Sequence, residues 1–232
     1  MRYEAILFDL DGTLLPMDND EFTKGYLGML SAGVAHLGYT PDTLLPAMWK
    51  GVAAMVKNDG KRLNSEVFWE VFATLLGKEC YEHIPVFDNF YKTDFAKAVK
   101  FSQPTSLAPR AVELARAHAD KVVLATNPFF PLVAVKARLG WTGVRAEEFD
   151  LITHYDNSKF CKPNPAYYGE ICEGLGLDPK NCLMIGNNAD EDIRAAQALG
   201  MSTFLVTDCL ICDGEEPDTP KGSFADLIEF LG

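Results

Sequence analysis

Two carboxylates one residue apart, Asp9 and Asp11, stand at the end of an apolar run and are followed at once by Gly12 and Thr13. Like charges that close repel, and a bound cation is the simplest way to keep both ionised. The preceding residues, Tyr3 to Phe8, are rich in strand formers and mostly apolar, as a strand buried on both faces must be. Asp9 is therefore expected at the carboxyl end of a strand, where open α/β sheets place their ligand crevices. An Asp-Gly turn after a strand is common by itself, so the weight of the reading falls on what the other strands deliver.

After Leu15-Pro16 the pattern turns helical and stays so to about residue 100. Phe22, Tyr26, Met29, Leu30, Val34 and Leu37 recur at helical steps, and Gly38 stands where that helix stops. Thr40-Pro41 reads as a cap and first-turn proline opening a second helix. Asn64 or Ser65 is expected to cap a third, and Phe87 to Val99 forms a fourth, less regular one. Four amphipathic helices with no strand among them predict a small bundle with its own core.

From Ala108 helices and strands alternate. Strands are expected at Lys121–Thr126, Phe149–Thr153, Cys182–Gly186 and Ser202–Val206. Helices are expected at Ala108–Ala119, Pro131–Leu139, Pro165–Leu175, Asp190–Leu199 and Phe224–Leu231, and Asp213–Gly222 reads as a solvated loop. Such alternation predicts a Rossmann-like α/β fold, a parallel sheet of five strands between two layers of helices. The expected division is a core of residues 1–15 and 105–232, interrupted by an inserted α-helical segment, 16–104.

In a parallel sheet all carboxyl ends line one rim. The first strand brings Asp9 and Asp11 there, and the second brings Thr126 and Asn127. The third is followed by Lys162, just ahead of Pro163 and a helix. The fourth brings Gly186, Asn187 and Asn188, with Asp190, Glu191 and Asp192 next. Each is ordinary alone: a turn Thr, a solvated Lys, acids at a helix start. Together an aspartate, a hydroxyl, a lysine and further oxygen ligands around Mg²⁺ suit the transfer of a phosphoryl group.

Asp-x-Asp-Gly-Thr, then Thr126, Lys162 and the 186–192 acidic segment, in that order, resemble the haloacid dehalogenase superfamily. The inserted helices resemble its α-helical cap, as in phosphoglycolate-phosphatase-like members. The resemblance implies a Mg²⁺-dependent phosphatase that hydrolyses a small phosphorylated metabolite through an aspartyl-phosphate. It implies Asp9 as nucleophile and metal ligand, and Asp11 as proton donor and acceptor whose backbone carbonyl also binds the metal. Gly12 would turn the chain so that backbone N–H groups face the phosphoryl oxygens. Thr126 and Asn127 would meet the substrate, Lys162 would offset the charge of Asp9 and the phosphoryl group, and Asp192 would complete the metal site through water. The superfamily carries Asp where this chain has Asn187. An amide oxygen can ligate Mg²⁺ but brings no charge, and which of Asn187, Asn188, Asp190 and Asp192 faces the metal is left open. Members that cleave carbon–halogen bonds lack an acid at the position of Asp11, so its presence favours phosphate esters. A phosphosugar mutase and a catalytically weak phospho-ligand binder or regulator are the alternatives.

The net charge of −12 over 232 residues argues against nucleic acid or an anionic membrane as partner. No secretory segment or bilayer-length apolar run is visible, which predicts a cytoplasmic protein with reduced cysteines; oligomeric state is not readable. Of six cysteines only Cys209 and Cys212 have metal or redox spacing, and without a second pair ordinary packing is the better reading. Lys24, Lys50, Lys57, Lys61 and Arg62 of the insertion could meet a substrate anion, but solvated helix faces are their expected place.

Overall fold

Successive side chains of a strand point to opposite faces, and the first strand, β1 (Tyr3–Phe8), shows this directly in the computed structural model, which describes residues 2–232. Ile6 and Phe8 enter one apolar cluster and Ala5 and Leu7 another, all four fully buried. The strands that follow are β2 (Ala119–Leu124), β3 (Leu151–Ile152), β4 (Cys182–Gly186), β5 (Ser202–Val206) and β6 (Lys221–Gly222). They form one parallel sheet in the order β3-β2-β1-β4-β5-β6. The chain runs outward from β1 through β2 to β3 and then returns to lay β4 on the other side of β1. The order thus reverses between β1 and β4, which is where a doubly wound sheet opens its crevice.

Helices α5 (Ala108–His118), α6 (Leu132–Trp141) and α9 (Phe224–Leu231) cover the face of Ile6 and Phe8, while α7 (Ala166–Leu175) and the short α8 (Ala195–Gln197) cover the other. This is the expected three-layer fold, with two local corrections. The sheet has a sixth strand inside the segment expected to be only a loop: a two-residue edge pairing of β6 with β5, too short to leave a periodicity. The helix expected over Asp190–Leu199 begins instead as a π-helical turn, Ala189–Arg194. There the N–H groups of Asp192 and Ile193 both bond to the Asn188 carbonyl. Such wide turns are frequent at functional sites.

The insertion between β1 and β2 consists of α1 (Asn19–Val34), α2 (Pro41–Val56), α3 (Asn64–Leu76), α4 (Cys80–Lys92) and a 3₁₀ stretch, Asp94–Phe101. Asp18 caps α1 by accepting from the N–H groups of Asp20 and Glu21. Thr40 and Pro41 open α2 as expected. The third helix differs: Leu63 is its cap residue, and its N–H bonds to the Glu66 carboxylate at 2.9 Å. Asn64 faces inward instead. The insertion does not enclose a core of its own. Its aromatic residues interleave with those around α6, Tyr26 5.3 Å from Phe130 and Phe95 5.6 Å from Trp141 between centroids, so one apolar cluster runs from β1 into the helices. Among the described residues no helix is long and apolar enough to cross a membrane.

Candidate active site

The β1 and β2 strands end in register, Phe8 beside Leu124, and β4 flanks β1 with Ile185 beside Phe8. The next residue of each strand therefore emerges on the same rim. Asp9 leaves β1 with its N–H bonded to the Ile185 carbonyl at 2.9 Å. Beyond it Gly12 has φ +85°, a conformation that favours glycine, and a Cβ there would run into the Asn187 side chain. The turn closes through Gly12 N–H to the Leu15 carbonyl at 2.9 Å.

Lys162 is the buried hub. Its ammonium donates to Asp9 Oδ1 at 2.8 Å and to Asp192 Oδ1 at 2.7 Å, and the residue is 1% exposed. Burial alone would push this ammonium down, but the two carboxylates hold it well above its ordinary value. Burial pushes the Asp192 carboxyl up, against the pull of Lys162. Asp192 Oδ2 accepts from the Asn188 N–H at 2.9 Å, so both its oxygens are engaged. A Cβ on Gly186 would collide with that carboxylate, which explains glycine as the last residue of β4. Asp190, by contrast, is exposed and paired with Arg194 at 2.6 Å, and Asn188 caps the π turn by accepting from Asp190 and Glu191 N–H.

Thr13 links the two sides of the crevice. Its hydroxyl donates to Asn187 Oδ1 at 3.0 Å and lies 3.4 Å from Asp9 Oδ2, while Asn187 Nδ2 donates to the Cys209 carbonyl at 2.6 Å. Thr126 is held by its carbonyl, which accepts from Thr153 Oγ1 at 2.7 Å and Tyr167 OH at 2.9 Å. Its own hydroxyl has no protein partner among the described residues and lines a cavity of about 290 Å³ at the rim. Asn127 donates to Glu191 Oε2 at 3.0 Å, and its Oδ1 is buried without a partner. Burial pushes the Glu191 carboxyl up.

One residue of the site is absent from the sequence reading. Arg138 of α6, 1% exposed, donates to Asp11 Oδ2 and stacks on Phe130 with its guanidinium carbon 4.1 Å from the ring centre. Burial raises the Asp11 carboxyl, against the lowering effect of Arg138. The available signal was an arginine within the apolar stripe of Val135 and Leu139.

Oxygen atoms dominate the rim, the donor set of a hard cation. Among the described residues no three His, Cys, Asp or Glu side chains are arranged to hold a metal. Convergence requires the amide: Asp9 Oδ2 and Asn187 Oδ1, a carboxylate and an amide oxygen, both face the Thr13 hydroxyl. A hydrated Mg²⁺ fits that mixed set. Cys209 and Cys212 are free, partly exposed thiols and form no such group.

The arrangement thus joins a strand-end carboxylate, a buried lysine, an unpaired hydroxyl and a second aspartate at the switch point of a doubly wound sheet. A family model for haloacid dehalogenase-like hydrolases matches residues 3–200, and the chain belongs to that family of hydrolytic enzymes. Within it the chain is similar to phosphatases. It is 26% identical to phosphoglycolate phosphatase of Aquifex aeolicus (98% of this chain, 96% of that protein) and 25% identical to pyrophosphatase PpaX of Bacillus velezensis (100% and 97%). A HAD phosphatase structure from Thermococcus onnurineus shares the fold at a TM-score of 0.61 and 20% identity, covering 99% of this chain and 98% of that one.

Proposed function

We propose that the protein is a Mg²⁺-dependent phosphatase that hydrolyses a small phosphorylated metabolite in the cytoplasm through an aspartyl-phosphate. The observation that carries the reading is Lys162 bridging Asp9 and Asp192 in the buried floor of the cavity. Asp9 attacks phosphorus in line, forming an acyl phosphate as the ester P–O bond breaks. Asp11 gives its proton to the departing alkoxide, then takes one from the water that displaces Asp9 and releases inorganic phosphate. Thr126 donates to a phosphoryl oxygen with its free hydroxyl, and Asn127 adds an amide to the same wall. Lys162 offsets negative charge on Asp9 and the phosphoryl group, and Asp192 holds Lys162 in place. Asp9, the Asp11 carbonyl and Asn187 would hold Mg²⁺, with Asp192 behind them, and the ion supplies positive charge to the phosphoryl oxygens when bound.

The Arg138–Asp11 pair favours a second reading, a phospho-ligand binder with slow turnover, because the proton carrier is tied to a buried cation. Turnover of phenyl phosphate with Mg²⁺ separates the two. The phosphatase reading expects activity that EDTA abolishes and that Asp9→Asn lowers by at least three orders of magnitude. Retained activity in Asp9→Asn would rule out the aspartyl-phosphate, and binding without metal-dependent turnover would favour the second reading.

A further inference from the structure

The cavity above Asp9 is walled on its far side by the insertion, where Phe22, Tyr26, Phe68, Trp69 and Tyr91 contribute rings. Among the described residues no lysine, arginine or histidine of the insertion lines it. Its one carboxylate there is Asp88, which has no ion-pair partner among the described residues and adds a small upward push to the burial that raises the Tyr91 and Tyr155 phenols. The five cations of the insertion that could have met an anion are exposed, Lys61 paired with Asp59 and Arg62 with Glu70.

On the core side the only lining cation among the described residues is Arg138, whose charge is matched by Asp11 and whose Nε and Nη2 are buried without a hydrogen-bond partner. Lys162 lies below, between Asp9 and Asp192. Lys162 and Arg138 thus each stand beside a carboxylate on the core side, and on the insertion side the alcohol end of a bound ester would meet rings, aliphatic side chains, the neutral Asn19 and Thr23 and one carboxylate. A second negative charge placed against that wall loses its water and gains no opposite charge from the insertion, while Asp88 repels it.

We propose that the substrate is a phosphate monoester whose alcohol is apolar and carries no negative charge. The proposal rests on the phosphatase reading for the reaction, but its content is selectivity. Phosphoglycolate, named for one of the relatives, carries a carboxylate beside its ester and is the kind of compound this wall disfavours. A cavity of about 290 Å³ accommodates a single ring.

The test compares two esters that differ by one group, phenyl phosphate and 4-carboxyphenyl phosphate, together with 2-phosphoglycolate. Turnover is read as kcat/KM with Mg²⁺, and binding is read by calorimetry on Asp9→Asn, in which Lys162 keeps Asp192 as a partner. The expected result is at least a tenfold preference for phenyl phosphate over both anionic esters, narrowed in Asp88→Lys towards the carboxylated ring. Equal or better use of either anionic ester overturns the proposal while leaving the phosphatase reading intact. Absence of turnover with the same tenfold preference in binding defeats the phosphatase reading and supports the selectivity. Absence of turnover with no preference in binding defeats both.

Discussion

Asn187 stands where the resemblance to the haloacid dehalogenase superfamily calls for an aspartate, and its hydrogen bonds explain what that aspartate would change. Its Oδ1 accepts from Thr13 and its Nδ2 donates to the Cys209 carbonyl at 2.6 Å. An aspartate keeps the first contact and turns the second into oxygen facing oxygen. It also adds a negative charge beside Asp9. Asn187→Asp is therefore expected to lower the Mg²⁺ concentration that half-saturates activity several-fold. In EDTA it should lower stability by about 1–3 kcal/mol, the typical cost of an unsatisfied buried group. A Mg²⁺ titration of activity and urea unfolding in EDTA check the two halves, and an unchanged Mg²⁺ dependence would place the ion away from this side chain. Arg138 illustrates the same logic in reverse. Asp11 at Nη1 and the face of Phe130 offset the burial of this guanidinium, while its Nε and Nη2 have no partner among the described residues.

At the scale of elements, the π turn and the end of β4 work together. Gly186 lets the Asp192 carboxylate lie directly against the strand, and the wide turn at Ala189–Arg194 brings Asp192 inward while Asp190 faces solvent. Adding one methyl group at Gly186 must push Asp192 away from Lys162. Displacement of catalytic groups by about 1 Å can cost on the order of a hundredfold in rate. Gly186→Ala is expected to lose activity on that scale, mainly in kcat. Near-normal kcat in a folded Gly186→Ala protein would show that the Lys162–Asp192 contact is not needed for turnover.

For the molecule as a whole, the issue is how the insertion is held over the sheet. Asn64 stands at the joint. Its side chain donates to the Phe160 carbonyl at 3.2 Å and to Cys161 Sγ at 3.3 Å, and accepts from Asn58 at 2.9 Å. Its backbone N–H reaches the Ser158 carbonyl, and that of Ser65 reaches Tyr155. The insertion is thereby fastened to the loop that delivers Lys162. Asn64→Ala would leave the Phe160 carbonyl and the Asn58 amide without this partner, and a loss of about 1–3 kcal/mol is expected in urea unfolding. Phenyl phosphate KM should rise with it, since the cavity wall and Lys162 share the anchor. A stability loss with unchanged KM would show that the joint does not position the site.

The order of elements, the three-layer sheet and the residues at its rim were legible in the sequence because each rests on local information. Apolar runs mark strands, three- and four-residue steps mark helices, and a parallel sheet sends every strand end to one side. Asp9, Asp11, Thr126, Lys162 and the 186–192 segment could be gathered from that alone. The pairings could not. That Asp192 faces inward and Asp190 outward depends on a π turn that leaves no distinct periodicity, and Arg138 reads as one charge in an apolar stripe until α6 is packed beside Asp11. The shared core of sheet and insertion, the anchor at Asn64 and the absence of insertion cations from the cavity wall are likewise products of tertiary packing. They depend on which faces of distant segments meet, and hydrophobic periodicity tells that a face is buried without telling against what.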